Sequence, residues 1–235
     1  LQMIEAAKII DYMKSQGFEV SESPGHLNIV YIEGMNIDGT LNKDQFDRWN
    51  DLRAVIVVDE QGRPTFRHLS VATTEPGRRP TFSAKALKRG GVFRIMFGQW
   101  RKCWRLGHHK NSKQHPALVQ IPGAVIMGHR DRNRDGFRTG DLIMPGFGIN
   151  QHGTKPGFMG KLVDYFSEGC LVGKRWEDHL RFIEVVKRDA RYIADPYFSF
   201  DTTIISGINL YPASQGIAQK PAPPTIQPKK PINTP

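Results

Sequence analysis

Short apolar runs of strand length, each closed off by glycine, proline or an Asn/Asp turn, recur along this sequence and leave few architectures open to it. Residues 26–33 (HLNIVYIE) alternate as a strand does. Residues 53–58 (RAVIVV) and 65–72 flank a turn built from Asp59, Gln61 and Gly62, and together they predict a hairpin. Further strands are expected at 91–97, 99–106, 117–121, 124–127, 147–151 and 198–205, with Pro122-Gly123 as the turn between two of them. Residues 34–49, rich in Asn36, Asp38, Gly39 and Asn42, read as a loop. Many short strands, few helices and no internal repeat point to a mainly β domain, a sandwich or barrel with peripheral helices.

Two helices stand out. Met3, Ala6, Ala7, Ile10 and Met13 share one face of a helix that Gly17 stops, and Trp176, Leu180, Ile183 and Val186 mark a second over 176–188. The chain therefore divides into an N-terminal helical segment (1–24), a main domain (25–211) and a tail (212–235). The tail is proline-rich and nearly free of large apolar residues, so it is expected to be a disordered linker, or a docking segment toward another domain or protein. No apolar run approaches the roughly 20 residues of a membrane helix, so no membrane span is expected. The net charge is +10, of which three tail lysines carry a part, and this favours acidic polymers without choosing among DNA, RNA and cell-wall peptides.

The chemistry concentrates in 148–174, GINQHGTKPGFMGKLVDYFSEGCLVGK. With only Cys103 and Cys170 in the chain, a disulfide framework is not expected, and a cysteine near a histidine reads better as a nucleophile. A free thiol is mostly protonated at neutral pH and needs a base within hydrogen-bond reach. His152 has the intrinsic pKa for that role. Gly169, just before Cys170, allows close backbone approach, so the amides of Gly169 and Cys170 are candidates for an oxyanion hole.

A strand ending in His152-Gly153, a loop, and then Ser167-Glu168-Gly169-Cys170 resembles the L,D-transpeptidase catalytic domain, whose signature is His-Gly or His-Ser followed by Ser-His-Gly-Cys. Residues 69–77 (LSVATTEPG), the hairpin before them and the helix at 176–188 fall where that family has equivalents, so the resemblance spans roughly 50–206. It implies an L,D-transpeptidase-like fold. It also implies Cys170 as the acylated nucleophile, His152 as base and acid, Gly153 as the carbonyl orienting the imidazole, Gly169 and Cys170 as oxyanion donors, and Ser167 as support for the turn. The implied partner is bacterial peptidoglycan, the implied place of action is the cell wall, and no cofactor is called for. Glu168 stands where the family has histidine, and Val172 where it has Arg or Asn. Glu168, Arg130 and Arg138 are candidate substrate-binding residues, the arginines for stem-peptide carboxylates. The altered motif favours hydrolysis of stem peptides over cross-linking. The alternatives are a cross-linking transpeptidase, or a catalytically silent peptidoglycan-binding module of a phage or secretion particle.

Other features read more plainly. The run 131–141 (DRNRDGFRTGD) resembles a calcium loop, but Leu142 replaces the closing glutamate and four arginines crowd it; a polar loop whose acids pair with its own arginines is expected, with no metal. His108, His109, His115 and His129 could suggest zinc but lack any zinc-ligand spacing, and His108 and His109 are expected in a solvated turn. Trp100, Arg101, Trp104 and Arg105 suit an ordinary amphipathic strand, and no nucleic-acid motif accompanies them. Cys103 is expected to be a small packed residue.

Overall fold

The computed structural model describes residues 4–211; Met3 and the tail at 212–235 lie outside the described residues. In chain order the elements are α1 (Ala6–Ser15), β1 (Asn28–Glu33), β2 (Asp51–Val58), β3 (Pro64–Thr73), α2 (Arg78–Thr81), α3 (Ala84–Lys88), β4 (Val92–Ile95) and β5 (Gly98–His108). After a 3-10 turn at His109–Asn111 come β6 (Pro116–Gln120), β7 (Ile126–Asp131), β8 (Leu142–Gly146), β9 (Gln151–Gly153), β10 (Leu171–Gly173), α4 (Trp176–Val186), α5 (Ala190–Ala194), β11 (Phe200–Ser206) and α6 (Gly207–Leu210).

Eight strands close into a barrel in the order β1-β11-β5-β6-β9-β10-β3-β2, and β4, β7 and β8 form a separate three-stranded sheet. Of the two mainly β architectures the sequence allowed, it is the barrel that forms. Closure pairs every strand on both sides and leaves no barrel edge exposed. Side chains alternate across the wall. Ile29, Tyr31, Val55, Ala72, Trp104, Leu118, Leu171 and Ile204 belong to one core cluster, together with Phe182, Ile183 and Val186 of α4. The intervening Val30, Ile32, Leu52, Ala54, Ile56 and Ile205 face outward, where Ile9, Ile10 and Met13 of α1 cover them. Each of those three helix side chains is almost wholly buried, which contributes about 1.5–3 kcal/mol apiece. The helix ends in a Schellman motif: Phe18 N–H bonds Met13 C=O, Gly17 N–H bonds Lys14 C=O, and Gly17 takes φ +69°.

Two strand expectations are corrected. The strand placed at 147–151 begins only at Gln151, because residues 147–150 form an irregular loop with Gly148 at φ +69°. The strand placed at 124–127 starts at Ile126 and runs on to Asp131, into the stretch read as a polar loop, and β8 follows directly after it.

The small sheet is fastened to the barrel by charge. Arg94 bonds Glu75 at 2.8 Å with both side chains buried, and Arg138 of the β7–β8 connection grips Glu33 of β1 with both Nη atoms. Arg138 therefore does not pair with the acids of its own loop. Asp131 instead accepts from Gly136 N–H at 3.1 Å, and Asn133 pairs with Asp135. Glu33 is drawn down to about 2 against its burial by the Arg138 guanidinium, while desolvation and the neighbouring Glu33 push Asp44 up to about 7. Glu33, Asp44 and Glu75 bring carboxylate oxygens within 4.8 Å of one another, but Glu33 and Glu75 already hold arginines. Phe93 of β4 lies against Gly128 and Gly146, where a Cβ would come within 2.3 and 2.5 Å of its ring. No helix among the described residues is long and apolar enough to cross a membrane.

Candidate active site

β9 and β10 run parallel, in the register Leu171↔Gln151, Val172↔His152 and Gly173↔Gly153. Leu171 belongs to the barrel's inner cluster, whereas Val172 and Cys170 pack with Trp49, Val163 and Phe166 in a separate cluster. His152, paired with Val172, shares the outward face. Cys170 lies two residues before Val172 and so falls on that face too, about one pleat repeat of roughly 7 Å along. The fold thus brings the cysteine and histidine of the motif to one side of one strand pair.

The turn before Cys170 is tightly specified. Ser167 Oγ donates to Cys170 C=O at 2.8 Å and accepts from Gly169 N–H at 3.1 Å. Gly169 takes φ +139°, and a Cβ there would lie 2.6 Å from the Phe93 carbonyl oxygen, so only glycine fits. Phe93 N–H in turn donates to Glu168 C=O at 3.1 Å. Of the two amides proposed for an oxyanion hole, Gly169 is engaged by Ser167, which leaves the Cys170 amide; it has no acceptor among the described residues.

Cys170 is partly open to solvent, but its sulfur sits deep among protein atoms. Gly148 C=O approaches it at 3.6 Å and the Asn150 backbone N–H points toward it. Burial pushes the thiol up to about 11, against the pull of Asn150 and Lys110. At neutral pH Cys170 rests as a thiol.

His152 is buried, and its Nδ1 lies 2.8 Å from Gly153 C=O. A carbonyl only accepts, so Nδ1 carries the proton and Nε2 presents a bare lone pair. That Nε2 is buried without a partner among the described residues. Burial first, and then the neighbouring His109, keep the imidazole well below its ordinary pKa, so it is neutral.

Histidines from three other segments surround it. His109 stacks on His152 with ring centroids 3.8 Å apart and an interplanar angle of 25°, held by Asn150 Nδ2 at 3.2 Å from its Nδ1. This corrects the expectation of a solvated turn for His109; His108 beside it is exposed. His115 stands edge-on to His152 and places Nε2 3.1 Å from the same Gly153 carbonyl. His179 of α4 bonds Pro116 C=O through Nε2 at 2.7 Å and takes Arg53 Nη1 on Nδ1 at 3.2 Å. Arg53 is wholly buried over the Phe182 ring. Gly153 and Gly173, paired across β9 and β10, make room for these groups, since a Cβ on the first would meet His179 at 2.7 Å and on the second Arg53 at 2.5 Å.

No family model, no curated protein and no solved structure matches this chain. Its chemistry is therefore read from its own geometry.

Of the candidate substrate-binding residues, Arg138 is turned away from that role, with both Nη atoms on Glu33. Glu168 pairs at the surface with Arg89 at 3.5 Å. Arg130 is half-buried over the Phe93 ring and bonds Gly91 C=O at 3.2 Å, near the Glu168 turn. Cys103 is buried, as a packed residue would be. In the sequence His109 and His115 suggest only a zinc site, and His179 and Arg53 do not stand out. They come from four separate segments with no ligand-like or catalytic spacing, and the one local signal was the concentration of histidine at 108–115.

Proposed function

We propose that this chain is a cysteine acyl-transfer enzyme acting on peptidoglycan stem peptides through a thioester on Cys170, with an L,D-transpeptidase-like fold, and that it hydrolyses rather than cross-links. The observation that carries the reading is the bare, buried, unpartnered Nε2 of His152, fixed in that tautomer by Gly153 C=O. A buried acceptor left unmatched costs on the order of 1–3 kcal/mol, and such groups gather where a proton is to be received. The neighbouring strand pair supplies a thiol on the same face, preceded by the serine-braced turn.

In the proposed reaction His152 Nε2 takes the Cys170 proton as the sulfur attacks the scissile carbonyl carbon. The resulting oxyanion meets the Cys170 amide. The C–N bond then breaks, His152 returns the proton to the leaving amine, and a thioester remains. Water, deprotonated by His152, adds to the thioester carbon and releases the acid and the thiol. An acceptor amine in place of water would give a cross-link. Because thiol and imidazole both rest neutral, proton transfer has to accompany attack.

The reading is tested by incubating the protein, Cys170→Ala and His152→Gln with purified diaminopimelate-type muropeptides and reading products by mass spectrometry. Loss of a terminal D-residue is expected with wild type, absent in C170A and lowered about 10²–10⁴-fold in H152Q. Cys170-dependent dimers would make it a transpeptidase.

A second reading, a silent wall-binding module, draws support from the high resting pKa of Cys170 and from Glu168 being tied to Arg89. Muropeptide binding without turnover in all three proteins would establish it.

A further inference from the structure

Gly153 C=O sits within hydrogen-bond distance of two imidazoles, His152 Nδ1 at 2.8 Å and His115 Nε2 at 3.1 Å. As the carbonyl can only accept, both nitrogens carry protons, and the oxygen's electron density is divided between them. For His152 this carbonyl is the one hydrogen-bond partner among the described residues. It is also the group that would stabilise the imidazolium formed when His152 takes a proton. A second N–H on the same oxygen weakens that support and places the positive end of another dipole beside the ring.

The other groups facing this pair point the same way. His109, from the 3-10 turn, covers one face of the His152 ring, with Lys110 next to it in the chain. His179, from α4, lies 6.1 Å from His115 between ring centroids and is backed by the buried Arg53 of β2. Cys170, from the turn before β10, is neutral at rest. No carboxylate pairs with His115, His152 or His179 among the described residues. His115 itself is clamped by Trp176, edge-on at 5.0 Å, so its ring is not free to turn away.

We infer that His115 is a positioning residue that, by sharing the Gly153 carbonyl with His152, sets the basicity of the His152 imidazole and through it the protonation of Cys170. This rests on the reading of Cys170 and His152 as nucleophile and base. It assigns to a histidine outside the motif the setting of their shared proton.

The test compares wild type, His115→Phe and His115→Gln. Phenylalanine keeps an aromatic ring against Trp176 but deletes the N–H; glutamine restores a donor. Two readouts are taken that need no peptidoglycan: the iodoacetamide reaction rate of Cys170 at pH 7, resolved from Cys103 by peptide mapping, and the His152 titration midpoint by NMR of labelled histidines. In H115F the midpoint is expected to rise by about half to one pH unit, the scale of one hydrogen bond, and Cys170 alkylation to quicken about 3–10-fold. H115Q is expected to return both toward wild type. Unchanged midpoint and rate in H115F overturn the inference, whether or not the protein turns over muropeptides. Shifts as expected without muropeptide turnover would sink the substrate reading and leave the proton-sharing intact. Should H115F not fold, the His115 tautomer in wild type decides, because an Nδ1–H form overturns the inference and an Nε2–H form supports it.

Discussion

At the scale of single residues, the turn 167–170 shows how little freedom the site has. Gly169 is needed twice over, once for its φ of +139° and once because a Cβ at that position would stand 2.6 Å from Phe93 C=O. Gly169→Ala is expected to lower stability by about 1–3 kcal/mol and to remove Cys170-dependent turnover, read by denaturant unfolding alongside the muropeptide assay. Wild-type values in both would show that the turn relaxes freely. Ser167, Gly169, Cys170, His152 and Gly153 were legible in the sequence because their spacing is local and their residue types are chemically restricted. The histidines around them were not, because nothing in a linear pattern announces that a 3-10 turn, a β-strand approach and a helix will meet at one imidazole. Arg53 stands in the sequence as the first residue of an apolar strand, and its burial depends on Gly173, far along the chain, where a Cβ would meet its guanidinium.

At the scale of elements, the hairpin β2–β3 and the helix α1 follow their sequence periodicity closely, since each has a long apolar pattern with clear stops; α4 forms where expected, but its buried face is His179, Phe182, Ile183 and Val186, and Leu180 of the expected face is exposed. The region from 124 to 151 departs from it. There, Gly128 and Gly146 pack on Phe93 and Arg138 reaches Glu33 of the barrel, tertiary contacts that a local pattern does not carry. The Arg138–Glu33 pair joins the small sheet to β1, with the glutamate 3% and the arginine 17% exposed at the side chain. Glu33→Gln leaves two buried guanidinium groups with less counter-charge and is expected to cost about 3 kcal/mol. Urea unfolding measures it, and a loss well under 1 kcal/mol would mean that Asp44, Asp51 and Glu75 take over the pairing. Because Phe93 carries the Glu168–Gly169 turn, E33Q is also expected to slow Cys170 alkylation.

At the scale of the whole molecule, the histidines dominate the response to acid. Burial first, with nearby Arg53, drives His68 down to about 3; burial and His115 drive His109 down to about 4; His152 and His179 are also held well below their ordinary range. All four are neutral when folded. In the unfolded chain they take up protons below about pH 6.5, so the stability from burying them neutral is complete above 6.5 and is lost as pH falls toward their folded values. For His68, 8% exposed, the loss is about 1.4 kcal/mol for each pH unit in that window. Asp44, Asp51, Glu75 and Asp141, raised chiefly by burial, act oppositely, but with His115 and His129 also lowered by burial the histidines are six against four. Calorimetry at pH 7.5, 6.5, 5.5 and 4.5 is expected to show Tm falling from 6.5 downward, with a shallower fall in His68→Gln. A level profile across that range would contradict the neutral-histidine account.

One property of the barrel bears on how it comes apart. Most of its staves run five to eleven residues, but β9 and β10 have three each, and β9 meets β6 through the single pair Leu118↔Gln151. A ring parts at its weakest seam, and this seam carries His152 on the β9 lip and His115, just before β6, on the other, while Cys170 stays with His152 through the β9–β10 pairing. Opening there would part His115 from the Gly153 carbonyl while β9 and β10 move together, so the first loosening of the wall would release the shared carbonyl before it separates thiol from imidazole.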